Sequence, residues 1–325
     1  MALALGLDVG GTKILGVAFD QSGAVLAECK RPAHNSREAV LDGLEEVAVE
    51  LSLSMGEGVS ELVGVGIGVP GLVDHDGVMH EAPNLPAAEE LSVVPELARR
   101  LERRIPEWPA PRLIIDNDGT CAVAGEVVFG AGRGLSDVLM VALGTGIGGG
   151  IVSAGRVLRG GHGFAGEFGH MVVSVDGPLC VCGRFGCWEQ FVSGSGHRRL
   201  AREAASSGRA DMVLALAGGD VDKIESAHVF TAARSGDLEA WGIVDTIAKY
   251  LAIGIANLVE ILDPLAVIIG GGAANDADLF LPATREYFEI TRRGTGDRST
   301  EIRQAELGPR AGAVGAGAMA LGLIG

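Results

Sequence analysis

Residues 3–30 read LALGLDVGGTKILGVAFDQSGAVLAECK. The apolar runs LALGLDV, KILGVAFD and AVLAECK are separated by the turn formers GGT and QSG, which predicts three successive antiparallel strands. The plan recurs from residue 137: DVLMVAL, then GTGIGG, then GIVSA, a turn around Gly155, and RVLRG. Each half of the chain thus opens on a glycine-turned hairpin, the mark of an internal duplication. Helical patterns follow at about 36–55 and 89–104, interleaved with the apolar runs LVGVGIGVP and PRLIIDND. Sheet-then-helix alternation of this kind makes an α/β lobe. Later, Leu238, Trp241, Val244, Ile247, Leu251, Ile255, Leu258 and Leu262 keep helical spacing up to Asp263-Pro264. A buried strand, AVIIGGG, and a close-packing Gly/Ala-rich helix complete the chain. The expected division is an N-terminal α/β lobe over residues 1–118 and a C-terminal α/β lobe over 119–325, the last helix (about 308–325) packing back on the first lobe.

The bulk numbers agree with an enzyme of two lobes. A chain of 325 residues exceeds the size at which one hydrophobic core usually stops growing. Fifty-one glycines beside 4% aromatic residues favour tight turns and close backbone approach over an aromatic binding surface. A net charge of -16 and a pI near 4.8 repel a phosphate backbone, and no basic run offsets them, so nucleic-acid binding is excluded. The start, MALALGLDVGG, has no basic region ahead of an apolar one, and the apolar stretches near 138–152 and 265–274 are short and broken by glycine. Neither a targeting segment nor membrane insertion is expected, and the location predicted is cytoplasmic.

Four groups of residues carry chemistry. DVGGTK, with Asp8, Gly10, Gly11, Thr12 and Lys13, sits at a strand-to-strand turn whose backbone N–H groups can hold a phosphate; a plain hairpin turn would read the same. The second hairpin, Gly144-Thr145-Gly146 continuing to Gly149, satisfies G-x-G-x-x-G but leads into a strand rather than a helix, which removes the dinucleotide fold. With no Walker or protein-kinase motif present, two phosphate-gripping hairpins remain. Asn117 and Asp118 end the strand LIIDND, at the carboxyl edge where α/β folds bind ligands. Asp118 is the candidate base, although Asp116 and Asp118 would equally cap the next helix. Finally, His170, Cys180, Cys182 and Cys187 form H-x9-C-x-C-x4-C with glycines at 177, 183 and 186. One histidine and three thiolates close a tetrahedral zinc shell, so the metal expected there is structural. Cys29 and Cys121 read as ordinary buried residues. Glu167 and Glu189 flank the segment and suit sugar hydroxyls, though each taken singly also reads as a surface charge.

DVGGTK, GVPG (68–71), APN (82–84), ND (117–118), LGTGIGGG, GEFGH (166–170), CVCGRFGCWEQ and VIIGGG occur here in that order. Together they resemble the ROK family of sugar kinases and repressors, above all its bacterial glucokinases, over the whole chain. The resemblance implies an actin-like (ribonuclease H-like) two-lobed fold and ATP-dependent phosphorylation of the 6-hydroxyl of glucose. It implies Asp118 as catalytic base, and Gly71, Asn84, Asn117, Asp118, Glu167, His170 and Glu189 at the sugar. For ATP it implies Asp8, near a magnesium ion, with Gly10 to Lys13, Gly144, Thr145 and Gly146, and with Gly271 and Gly272 beside the adenosine. The zinc ligands implied are His170 and the three cysteines; partners are sugar and nucleotide, in a homo-oligomer, dimer or tetramer. N-acetylmannosamine, N-acetylglucosamine and fructose are alternative substrates on the same frame. A sugar-responsive repressor would need a DNA-binding segment ahead of Asp8, where this sequence has seven residues. One departure stands out: the family follows ND with Ala-Asn-Ala, and here Gly119-Thr120-Cys121 follows.

Overall fold

The computed structural model describes residues 2–33, 36–82, 90–105, 108, 110–294 and 299–325. Its first sheet is built from β1 (Leu3–Val9), β2 (Lys13–Asp20), β3 (Val25–Pro32), β4 (Leu62–Val69) and β7 (Arg112–Asn117), in the order β3-β2-β1-β4-β7. β1 pairs antiparallel with β2 and parallel with β4, and β4 parallel with β7. The second sheet contains β8 (Val138–Leu143), β9 (Ile147–Ser153), β10 (Arg156–Val157), β11 (Ala266–Gly270) and β12 (Glu301–Gln304), in the order β10-β9-β8-β11-β12. Counted within each half, both sheets read 3-2-1-4-5. The duplication expected from the hairpins is therefore present, with the α/β sheet order that the resemblance to a ribonuclease H-like fold implies in each half.

By contacts the chain divides into two units. The first comprises Met1–Met140, Gly149–Gly166 and Ala305–Gly325, and the second Val141–Gly148 and Glu167–Gln304. The boundary expected at Asp118 falls at the start of α3 (Asp118–Phe129).

In the first unit, β1 is buried over nearly its whole length because it is covered on both faces. On one side lies α1 (Arg37–Met55), which starts where Ser36 Oγ accepts the Ala39 N–H and turns Val40, Leu44, Val47, Ala48 and Leu51 inward at helical spacing. On the other lies α10 (Ala311–Ala320), whose residues are all buried. Its approach is made possible by glycine. A Cβ on Gly6 would sit 1.7 Å from the Ala313 carbonyl oxygen, and one on Gly66 would sit 1.9 Å from that of Ala316. α10 also lies against α3, where a Cβ on Gly315 would fall 1.7 Å from the Cys121 carbonyl oxygen.

The helical pattern at 89–104 is shorter in the structure. α2 spans Val93–Arg104, because Leu91–Ser92 (β6) pairs antiparallel with Val78–Met79 (β5). Here strand pairing overrides local helical periodicity. A single buried carboxylate then ties the last segment down: Glu126 of α3 accepts the backbone N–H groups of Ala131, Glu306 and Leu307 at 2.8, 3.1 and 2.8 Å.

In the second unit, α8 (Leu238–Leu262) is the central helix, packed by α4 (Glu189–Val192), α5 (Gly194–Ser206), α7 (Ser226–Arg234) and α9 (Ala277–Thr291). By length and composition it could cross a membrane, and 61% of its apolar window is buried. Trp188 is fully buried, donates from Nε1 to the Tyr250 carbonyl at 2.8 Å and fills the space beside Gly254, where a Cβ would lie 2.0 Å from the indole. Phe191 stacks on Tyr250 with centroids 3.9 Å apart. Glu189, between Trp188 and Phe191 in sequence, is held by this packing.

Candidate active site

In the first unit the residues of interest gather at the carboxyl ends of β1, β4 and β7. Asn117 ends β7 and caps α3, its Oδ1 accepting the Thr120 N–H at 3.1 Å while its Nδ2 donates to the Gly71 carbonyl at 2.9 Å. Helix capping thus falls to Asn117 and not to either aspartate. Gly71, named from sequence as a sugar contact, here orients Asn117. Its φ of 102° and the 2.1 Å distance from its would-be Cβ to the Glu81 carbonyl oxygen admit only glycine. Asn84 lies outside the described residues.

Asp118 stands in the first turn of α3 and accepts the Gly119 N–H at 2.7 Å. It is partly exposed, but loss of hydration around its carboxylate pushes its pKa up to about 6, against the pull of the Gly119 N–H. Asp8, at the end of β1, is raised to about 7, first by desolvation and then by the charge of Asp118, with Lys13 opposing. Gly312 of α10 comes so close that a Cβ there would lie 2.8 Å from Asp8 Oδ1. The sequence signalled Gly312 only as one glycine in a small-residue helix.

The two glycine hairpins differ from the packing glycines. A Cβ on Gly10 would come no closer than 3.4 Å to any atom, one on Gly144 no closer than 3.9 Å, and one on Gly272 would meet nothing within 4 Å. None of the three has a positive φ, so the fold itself does not require glycine there. Gly271 is different: its φ is 82° and a Cβ would collide with Leu143 at 2.5 Å. The second hairpin is pinned to the start of α5 by Gly194 N–H to Gly144 O at 2.8 Å and Ser195 N–H to Thr145 O at 3.1 Å. Gly146 leaves room for Glu189, whose Oε2 lies 2.8 Å from its would-be Cβ.

In the second unit the sequence-predicted cluster is assembled. The ligand atoms of His170, Cys180, Cys182 and Cys187 all lie within 4.8 Å of one another, with Cys182 and Cys187 sulfurs 3.5 Å apart and Cys180 Sγ 3.7 Å from His170 Nδ1. Bonds of about 2.3 Å to sulfur and 2.0 Å to nitrogen fit that spacing, so the donor set suits zinc. The turn at Gly186 (φ 71°) allows the closing strand to cross Ser174, whose carbonyl oxygen lies 1.6 Å from its would-be Cβ. Burial raises the Cys182 thiol, but the Arg184 backbone and side chain outweigh it, followed by the neighbouring thiols, and its pKa falls to about 6. Glu167 Oε2 and Glu189 Oε1 lie 4.0 and 3.9 Å from the two nitrogens of His170. The structure therefore brings Glu167, His170 and Glu189 into one group with the cysteines.

A family model described as the ROK family matches residues 4–322. The chain belongs to the ROK family. A glucokinase of Streptomyces coelicolor is 37% identical over 98% of both chains. One from Thermotoga maritima is 36% identical over 87% of this chain and 86% of its own. Among solved structures, a ROK family glucokinase from Streptomyces griseus in complex with glucose and AMPPNP covers 99% of this chain and all of its own, with 36% identity and a TM-score of 0.80. In this ROK chain, sequence reading missed two features around Asp118: the approach of Gly312 to Asp8, and an ion pair between Asp116 and Arg159 with Nε to Oδ2 at 2.6 Å. Arg159 lies 43 positions from its partner, beyond the reach of any local pattern.

Proposed function

We propose that this chain is an ATP-dependent glucokinase, transferring the γ-phosphoryl group of ATP to the 6-hydroxyl of glucose. The observation that carries the reading is Asp118, a partly exposed carboxylate at a strand end, desolvated to a pKa of about 6 in a chain similar over its length to glucokinases. A base poised just below neutrality is ionised at working pH yet basic enough to accept a hydroxyl proton as attack begins.

The remaining roles are those the family resemblance implies, and the chemistry of the side chains suits them. Asn117, oriented by Gly71 and Thr120, and Glu167, His170 and Glu189 offer an amide, an imidazole and two carboxylates to the sugar hydroxyls, and Asn84 is assigned the same role. Gly10 to Lys13 and Gly144 to Gly146 offer backbone N–H groups, a hydroxyl and an ammonium to the phosphates. The absence of any close packing over Gly10 and Gly144 supports that role, as the open space over Gly272 supports adenosine beside Gly271 and Gly272. Such a kit suffices, because phosphoryl transfer asks mainly for alignment and charge neutralisation. A magnesium ion bound with the nucleotide, which we assign to the neighbourhood of Asp8, would supply part of that neutralisation. His170, Cys180, Cys182 and Cys187 would hold a structural zinc ion that leaves no open coordination position. We assign the enzyme to the cytoplasm as a homo-oligomer.

The test is a coupled assay of ADP production with ATP and magnesium across glucose, mannose, fructose, N-acetylglucosamine and N-acetylmannosamine. Glucose is expected to lead in kcat/KM by about tenfold, roughly 1.4 kcal/mol at the transition state. An N-acetyl sugar in the lead would keep the kinase and overturn the substrate. Activity with polyphosphate alone would overturn the donor.

A further inference from the structure

Asp116 is the last residue but one of β7 and is 4% exposed. Its Oδ1 accepts the backbone N–H of Asn117 at 2.9 Å, and its Oδ2 accepts Arg159 Nε at 2.6 Å. Arg159 follows β10 on the segment that runs through Gly163 and Gly166. That segment is braced by its own backbone and by the loop that follows β4. The Ala165 N–H meets the Arg159 carbonyl at 3.0 Å, His75 Nε2 lies 3.0 Å from the Gly160 carbonyl, and a Cβ on Gly163 would strike the Val73 carbonyl at 2.4 Å. The guanidinium is thus delivered from a braced loop to a carboxylate two residues before Asp118.

We propose that Arg159 is a positioning residue of the phosphoryl-transfer site: its guanidinium holds the Asp116 carboxylate, which fixes the Asn117–Asp118 peptide at the end of β7. The inference rests on the kinase reading of Asp118. A buried carboxylate without a cation is strongly disfavoured as an anion, so the orientation of Asp116 depends on its partner. The groups facing Asp116 are Arg159 and His75 from loops and the Cys121 thiol from α3; those facing Asp118 are Asp8 and, again, Cys121. Lys13 acts on Asp8. Arg159 is the cation that directly bonds the buried Asp116 carboxylate. Desolvation raises Asp116, and the charge of Arg159, its hydrogen bond, the Asn117 N–H and the charge of His75 oppose this in that order.

The experiment is a double-mutant cycle read by kcat, sugar KM and the pH dependence of kcat. Arg159→Gln is expected to lower kcat about tenfold at pH 7, change sugar KM less than about threefold, and move the acid limb of the profile up by about one pH unit. Adding Asp116→Asn removes the stranded carboxylate, and the double variant is expected to recover most of the loss and return the acid limb. Arg159→Lys keeps the charge and is expected to keep the limb. A Gln variant with the wild-type profile, or a loss that Asp116→Asn leaves in place, overturns the inference while the kinase stands. Should the Gln variant not fold, an inactive double variant or a displaced limb in Arg159→Lys overturns it equally. Wild-type protein inactive on every hexose would overturn the kinase reading itself, and the role of Arg159 with it.

Discussion

Cys180 Sγ lies 3.0 Å from Glu189 Oε1. A side chain assigned to the sugar and a sulfur assigned to the metal are therefore in direct contact, and whatever displaces the sulfur changes the surroundings of the carboxylate. Cys182→Ser is expected to lower bound zinc, measured by atomic emission, and the unfolding temperature together, because a structural zinc contributes folding energy. The coupling adds a third expectation, a higher KM for sugar with a smaller effect on kcat. A variant with full zinc content, or wild-type protein equally stable and active without zinc, would count against the assignment.

Asp118 should reveal itself through stability as well as rate. Asp118→Asn is expected to cut kcat about 100-fold or more, as loss of a general base does. The folded pKa lies above the ordinary value of 3.8, at about 6, so between those values the folded state binds more protons than the unfolded chain. Stability contributed by this group is therefore present below about pH 4 and lost as pH rises through 6. The neutral amide escapes that loss. The variant should be more stable than wild type by about 1–3 kcal/mol at pH 7.5, with a higher unfolding temperature, and no more stable near pH 4. Calorimetry at the two pH values decides it.

Glu126 is fully buried and holds three backbone N–H groups. Glu126→Gln turns one acceptor oxygen into a donor facing donors, and a cost of about 2–4 kcal/mol is expected from the bonds lost. Urea unfolding gives the number, and a loss below about 1 kcal/mol would show that water replaces the carboxylate.

Glycine substitutions separate two kinds of site. Gly66→Ala must displace α10, because the new carbon would lie 1.9 Å from the Ala316 carbonyl oxygen, and poor solubility or a loss above about 3 kcal/mol is expected. Gly242→Ala, inside α8 with nothing within 4 Å, should instead stabilise by about 0.5–1 kcal/mol through helix propensity. Equal melting temperatures for the two variants would contradict the packing described.

What the sequence disclosed and what it hid divide along one physical line. The hairpins of β1 and β2 and of β8 and β9 were legible because an antiparallel turn is local, and the cluster of His170 with Cys180, Cys182 and Cys187 was legible because its ligands lie within one short loop. Capping by Asn117 was overlooked in favour of its two aspartate neighbours, since capping depends on φ and ψ that residue type alone leaves open. Leu91–Ser92 keeps helical spacing in the sequence, and nothing local marks its strand partner, Val78–Met79. Glu126 and Arg159 read only as charges, for their partners lie 180 and 43 positions away and only the contacts made in the fold distinguish them.

The first unit is discontinuous: its last piece, Ala305–Gly325, follows the whole of the second. During synthesis at about 5–20 residues per second, roughly ten to thirty seconds pass between the emergence of residue 140 and that of α10. Throughout that interval one face of β1 and β4 waits uncovered while the second unit is free to fold. The order of birth thus opposes the order of the fold, and a nascent chain stalled before residue 305 should be the species most in need of a chaperone.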